Sequence, residues 1–552
     1  MPNAEPTTDA PALPAEAAKE PAAQTDVYAI HGADPEVLAY AMAKYSRSSL
    51  TMKESLAEIS SQRAEQFLNT FYFQYGHRSI ADLAHIPFAI ERLSLLAAIA
   101  LVDEQRWDGQ ERSTRYQNFR KSGWYTPALP PAQTTTYTAA VEALFAAYDT
   151  VGVGMLEALK RAIPQPATMK DEAYTRTLKA RAFDVARYLL PLAANTSLGQ
   201  IVNARTLETQ ISRLLSSEFA EIRTLGEKLR EAASGPAWNV HRDEARVLCE
   251  EVNSVDQLCG CRVSDVLLRD VKAAPTLVKY ASPNQYAIAT RAELRLAAAE
   301  LMAGQPIEPA PVVDLVEDAA SLEIELATSL LYTECHYSWR QLQRTVAALP
   351  APRVAELVAL GAKHRGRHDE LLRAFSAGQC LKFDLLMDIG GFRDMHRHRR
   401  CVQLQQDYTD LHGYEEPTCP GQPTLAEAGL AATYTSAMDA AFAAYREFAK
   451  EPGAPQPALS LPKGLDSEAR EGSATNPDAA YLLPLGTRVR AIFKMDFAEA
   501  LYISELRSGV AGHFSYRRVA WEMYLAVAKR HPSLAAYFRI GDVNQPVDLL
   551  KR

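Results

Sequence analysis

A helix-rich fold, laid down twice in one chain, is what the sequence predicts. Three observations predict it. Apolar residues recur at three- and four-residue spacing over long stretches. "ARYLLPLAANTSLGQIVNARTLE" (186–208) returns as "AAYLLPLGTRVRAIFKMDFAE" (479–499), each setting Tyr-Leu-Leu-Pro-Leu ahead of a helical pattern. The helices then carry arginine pairs at one spacing, Arg213 with Arg223 and Arg507 with Arg517. Self-similarity at a fixed period is the mark of a repeated unit. An offset of about 294 also sets Asp103-Glu104-Gln105 against Arg397-His398-Arg399, and "FAIERLSLLAAIALV" against "FDLLMDIGGFRDMH".

Taken in order, residues 1–26 are rich in Ala and Pro with scattered acids. They hold no apolar run and no Arg, so a disordered tail is expected rather than a signal or transit peptide. Residues 27–275 form the first expected domain. Its "LAEISSQRAEQFLNTFYF" has helical periodicity, and so does 204–231 through Leu207, Ile211, Leu214, Leu215, Phe219, Ile222, Leu225 and Leu229. The apolar run "LSLLAAIALV" (93–102) is about half of a membrane span. It is expected as a buried strand or helix segment, with no membrane domain. Residues 276–314 are expected as a linker, ending in the Pro-containing "LMAGQPIEPAPVVD". Residues 315–552 form the second domain, with a Pro/Gly/Ser-rich exposed insertion at 451–478.

The bulk numbers set limits. A chain of 552 residues suggests about two to four domains. Its hydrophobic share of 47% is ordinary for a soluble protein. A net charge of -8 argues against a general nucleic-acid coat. Seven cysteines, odd in number and irregularly spaced, make no disulfide framework and point to a reducing cytoplasm.

Several motifs bear chemistry. "DGQERSTRYQNF" (108–119) puts Glu111, Ser113 and Arg115 at alternate positions, with Tyr116 next. If extended, the three point one way and could bind a phosphorylated, hydroxyl-bearing ligand. "NAR" (203–205) opens a helix with Asn203 as its N-cap. "EIR" (221–223) sits inside it, and Arg213 and Arg223 would share a face. "FRDMHRHRRCVQLQQDY" (392–408) packs four arginines and two histidines into eight positions. A polyphosphate or dinucleotide, a nucleic acid, a metal held by His396, His398 and Cys401, or plain solvent could face this cluster. The arginines would repel a cation, so no metal is expected. Aromatic stacking partners are sparse, so no nucleic acid is expected.

Taken together, these residues resemble the flavin-dependent thymidylate synthases. The first copy matches that family in Gly76-His77-Arg78-Ser79, Glu111-Arg112-Ser113-Thr114-Arg115-Tyr116, Asn203-Ala204-Arg205 and Glu221-Ile222-Arg223. The second copy matches its Arg-His-Arg at 397–399. The resemblance implies an α+β fold, each copy a small, mostly antiparallel sheet with long helices. It implies reductive methylation of dUMP to dTMP, with FAD as cofactor and with NADPH and methylenetetrahydrofolate as co-substrates. Arg223 would polarise the uracil, and Ser113 would line its pocket. Arg115 and Arg205 would hold phosphate and base, joined by Glu111, Tyr116 and Asn203. Arg397, His398 and Arg399 would grip FAD, helped by His77 and Ser79. A homodimer would stand in for the family's tetramer.

The motifs are divided, however. Asp103-Glu104-Gln105 stands at the Arg-His-Arg place of copy one. Asp407 and Thr409-Asp410 stand at the Ser and Arg-Tyr places of copy two. One composite site per pair of copies is therefore expected. The alternative is a non-catalytic relative that binds a nucleotide or flavin in a structural or regulatory role.

Overall fold

The computed structural model describes residues 28, 30, 32–44, 51–58, 78–316, 322–364, 372–375, 381–450, 476–495, 497–530, 532–535, 538–546 and 548–550. The tail, His77 and most of the 451–478 insertion lie outside them, as does the side chain of Ser79.

The fold is α+β and helix-rich, with two small antiparallel sheets. The first contains β1 (His85–Ser94), β2 (Asp108–Glu111) and β3 (Asn195–Asn203), in the order β1-β3-β2. The second contains β4 (Val313–Leu315), β5 (Leu381–Asp388), β6 (Val402–Gln405) and β7 (Arg488–Met495), in the order β4-β5-β7-β6. The order β5-β7-β6 repeats β1-β3-β2, and β4 adds an edge strand. The same helices are interleaved with, and follow, the strands of each sheet. Leu95–Leu101 matches Ile389–Met395, and Pro131–Ala162 matches Ala431–Lys450. Ala204–Leu215 matches Phe497–Ser508, and Ala220–Ser234 matches Phe514–Arg530. The duplication seen in the sequence is thus a duplication of topology.

The repeated Tyr-Leu-Leu-Pro-Leu is where the copies join. The Leu192 amide donates to the Leu483 carbonyl (2.9 Å), and the Leu485 amide donates to the Leu190 carbonyl (2.9 Å). Pro191 and Pro484 face each other as an antiparallel bridge. A motif paired with its own repeat in opposite directions defines a local two-fold axis. Around it, one apolar core runs through both copies, from Leu95, Leu189 and Leu190 to Phe392, Leu483 and Val489.

The helix caps are repeated with their chemistry exchanged. Ser94 caps Leu95–Leu101 by accepting from the Ala97 amide, and its hydroxyl donates to Glu221 (2.6 Å). At the same places in copy two, Asp388 caps Ile389–Met395 and accepts from the Ser515 hydroxyl. One pair places the carboxylate on the second helix, the other on the cap.

One expectation is met and two change in detail. The run 93–102 is the end of β1 followed by a buried helix. The periodic stretch 204–231 is two helices broken at 216–219, because Ser216 closes the first. Arg213 and Arg223 therefore do not share one helix face. The expected linker 276–314 contains a 17-residue helix, Gln285–Leu301. The 32-residue helix Pro131–Ala162 is long and apolar enough to cross a membrane by length and composition. Its face Tyr137, Val141, Leu144, Tyr148, Val151, Met155 and Leu159 is buried in the core.

Candidate functional site

Two pseudo-equivalent sites flank the two-fold axis. Each combines the segment after the short strand of one copy with the last two helices of the other. They have diverged.

At the first site, β2 delivers Glu111, and the chain then turns. The Gln117 amide donates to the Ser113 carbonyl (3.3 Å), so Glu111, Ser113 and Arg115 do not form one extended row. The turn carries Arg115 inward. Its guanidinium grips Asp184 in a two-pronged pair, Nε to Oδ1 at 2.7 Å and Nη2 to Oδ2 at 3.2 Å. It also donates to the Tyr516 hydroxyl (3.2 Å) and the Ala511 carbonyl (3.3 Å) of copy two. Burial works against its charge, but Asp184 holds its proton more firmly than usual. The Ser113 hydroxyl accepts from the Arg115 amide (3.2 Å), and Tyr116 is exposed.

Copy two answers with its basic cluster. Arg393 pairs with Glu111. Arg399 donates to the Val102 carbonyl and lies 4.7 Å from the Trp107 ring centre. Burial lowers the Arg399 pKa to about 10. A small cavity between the copies is lined by Ile99, Val102, Trp107, Glu111, Arg393, His396, Arg397 and Arg399. Arg397 is exposed. Arg399 Nη2 and Arg393 Nε are buried donors without an acceptor.

The histidines carry less charge than the sequence suggests. Arg507 Nε donates to His398 Nε2 at 2.7 Å, so that nitrogen holds no proton. His398 Nδ1 lies 3.5 Å from Glu499. Burial and the Arg507 charge push the His398 pKa down to about 3. His396 is also pushed down, chiefly by burial, and its Nδ1 meets Gln403 Oε1 at 2.5 Å. The Cys401 thiol donates to the His398 carbonyl (3.1 Å). These three side chains therefore face protein partners rather than one shared point.

The floor of this site is a ladder of buried charge. Arg187 pairs with Asp394 (3.3 Å), and its Nε and Nη2 are buried without an acceptor. His513 Nε2 donates to the Asp184 carbonyl (2.8 Å), while its Nδ1 accepts from the Ser515 amide (3.2 Å). It is thus neutral. Arg517 donates to the Ser508 carbonyl (3.0 Å), and Arg507 lies 5.5 Å from the Tyr516 ring centre. Arg187, Arg507, Tyr516 and Arg517 were not singled out for this site from the sequence. The repeat alignment held the signal for two of them, because Arg507 and Arg517 are the counterparts of Arg213 and Arg223.

The other sequence-selected residues lie elsewhere. Asn203 is the helix cap, accepting from the Thr206 amide (2.8 Å). Arg205 pairs with Asp82 at 3.5 Å. Arg223 folds back to donate to the Ser217 and Glu218 carbonyls, both at 2.8 Å, and its charge acts on Asp478. Arg223 thus belongs to the second site, across the axis from Ser113 and Arg115.

That second site is filled by ion pairs. Asp407, at the place of Ser113, meets Arg291 (2.8 Å) and Arg295 (2.9 Å) from the Gln285–Leu301 helix. Arg295 also meets Glu218 (3.1 Å) and Glu334 (3.2 Å). On the copy-one side, Asp103 takes Arg373 (2.7 Å) and Glu104 takes Arg213 (2.8 Å). Burial opposes the Asp103 charge, but the Arg373 and Arg213 guanidiniums hold its carboxyl well below the usual range.

Known proteins give this arrangement a family. A model described as thymidylate synthase complementing protein matches residues 29–235 and again 376–533. A UPF0159 protein of Chlamydia pneumoniae is 25% identical, over 95% of this chain and 93% of its own length. The flavin-dependent thymidylate synthase of Geobacter sulfurreducens is 26% identical over 39% of this chain and 83% of its own. The crystal structure of flavin-dependent thymidylate synthase from Helicobacter pylori, complexed with FAD and dUMP, aligns at 19% identity and a TM-score of 0.22, over 36% of this chain and 89% of that one. With two matched segments that cover most of the chain and fall on its two copies, the protein belongs to the thymidylate synthase complementing protein family.

Proposed function

We propose that the chain is an FAD-dependent enzyme that reductively methylates a dUMP-like nucleotide, using the first composite site alone. The carrying observation is the meeting of the two half-motifs. Glu111 of copy one pairs with Arg393 of copy two, and Arg115 reaches Tyr516 and Ala511. Residues 27–275 and 315–552 are taken as the two copies and 276–314 as their connection.

The donors fit a flavin dinucleotide. Arg397 is exposed, while Arg399 Nη2 and Arg393 Nε are buried without acceptors beside the inter-copy cavity. Planar guanidinium forks suit phosphate and carbonyl oxygens. Arg397 and Arg399 would hold FAD, with His398 as a neutral spacer locked by Arg507. When bound, the flavin supplies the hydride chemistry, with NADPH and methylenetetrahydrofolate as co-substrates. Ser113 and Arg115 would orient the nucleotide. In this reading Arg517, rather than Arg223, stabilises the charge that develops on the pyrimidine, because it shares the Arg115 side of the axis.

A second reading, binding without turnover, is favoured by one observation. Arg115 is already bound to Asp184 through both prongs, and a nucleotide phosphate must compete with that carboxylate. Spectroscopy and turnover separate the two. The purified chain should carry a yellow flavin or take up added FAD, and the flavin should bleach with NADPH and dUMP. Arg397→Ala with Arg399→Ala should abolish flavin uptake. A chain that binds both ligands but makes no dTMP supports the second reading. A chain that takes up no FAD sinks the first reading, and one that binds neither FAD nor dUMP sinks both.

A further inference from the structure

We propose that the helical hairpin Arg242–Leu267 is a docking surface for a second copy of this chain. It lies between the two segments that match the family, so nothing in the flavin and nucleotide reading accounts for it. Its root is fixed. The Ala237 amide donates to the Val271 carbonyl (2.7 Å), and Pro236 pairs with Lys272. Beyond that root, the helices Arg242–Val255 and Gln257–Leu267 pack on each other, and no other described helix or strand packs substantially against them.

Only Ala245, Cys249 and Gly260 are buried within it. Two helices this short are marginal in water without tertiary packing. Yet apolar side chains stand exposed among its charged ones: Val255 is 89% exposed, Leu258 77% and Val266 74%, with Val247 and Leu248 also half-exposed or more. The pattern is ordered. Leu248, Val252 and Val255 recur at i, i+4 and i+7 on the first helix, and Cys259, Val263 and Val266 repeat the spacing on the second. With Ala245, Cys249 and Gly260 turned inward, helical geometry puts both stripes on the same side of the hairpin. Val252, Val255 and Cys259 indeed line one shallow groove.

Charge selects a second copy as the occupant. The outer edge of the first helix, next to Leu248 and Val255, carries Glu244 and Glu251. The outer edge of the second, next to Val266, carries Arg262, which has no ion pair among the described residues. A two-fold axis along the hairpin lays each first helix on the other copy's second helix. It closes the apolar stripes on each other as a four-helix bundle and sets Arg262 between Glu244 and Glu251 of the second copy.

Analytical ultracentrifugation of the full chain tests this. The native chain should be a dimer, and Leu248→Asp should shift it to monomer with flavin and nucleotide binding unchanged. Arg262→Glu should weaken dimerisation about tenfold or more. The charge swap Arg262→Glu with Glu244→Arg and Glu251→Arg should restore it, a recovery that simple misfolding of the hairpin cannot give. A monomeric native chain, a dimer indifferent to Leu248→Asp, or a swap that fails to restore association would overturn the proposal.

Discussion

Asp184 and Asp478 occupy the same place in the two copies, and only the first holds an arginine: Arg115 grips Asp184, whereas Thr409, its positional counterpart, reaches no carboxylate. Among the described residues Asp478 has no ion pair. Burial raises its pKa to about 6, offset in part by the charge of Arg223.

A raised carboxyl pKa has a definite sign in stability. The folded chain binds more protons than the unfolded chain between about pH 4 and pH 6, so stability falls as pH rises through that window. Asp478→Asn should flatten this slope. At pH 7.5 it should stabilise the chain by about 1–2 kcal/mol, and near pH 4 it should change little. Urea unfolding at the two pH values checks this.

Arg115 and Asp184 form a buried, two-pronged ion pair. Arg115→Ala strands a buried carboxylate and should cost about 3–5 kcal/mol. Adding Asp184→Asn should recover most of that loss. If Arg115 also orients the nucleotide, dUMP affinity should stay low in the double variant despite the recovered stability. Unfolding and dUMP titration of both variants separate the roles.

The exchanged caps give a third expectation. Ser94→Ala removes a helix cap and a hydrogen bond to buried Glu221, a loss of about 2–3 kcal/mol. Ser94→Asp with Glu221→Ser copies the arrangement of Asp388 and Ser515 and should return stability to within about 1 kcal/mol of the native chain. Thermal unfolding of the single and double variants is the check.

At the second site, Arg295→Ala removes a half-buried guanidinium from Glu218, Glu334 and Asp407. Solvent screens part of the network, so the expected loss is about 1–3 kcal/mol. It should not create a second nucleotide site, because Asp407 and Thr409 still stand at the Ser and Arg places. Calorimetric dUMP titration of this variant should give the native stoichiometry.

The duplication was legible because Tyr-Leu-Leu-Pro-Leu is kept in both copies, and it is kept where the copies touch. The divided motif was legible for the same reason: the spacing from Arg399 to Asp407 could be laid against that from Gln105 to Ser113. Two things were not. Which copy's last helix faces which motif is a property of the two-fold axis, so Arg223 looked like the partner of Ser113 although Arg517 lies on that side. Partners distant in sequence were also hidden. Nothing local marks Arg291 and Arg295 as fillers of the second site, since helical arginines at i and i+4 read equally well as a solvated face. The basic stretch 393–400 was over-read as charge, because burial keeps His396 and His398 neutral and cross-copy acceptors engage Arg393 and Arg399.

The most direct measurement is equilibrium binding stoichiometry on the intact chain with FAD and dUMP. One FAD and one dUMP per chain are predicted, with FAD lost in Arg397→Ala/Arg399→Ala and dUMP lost in Arg115→Ala. Two of each per chain, or none of either, would contradict a single composite site.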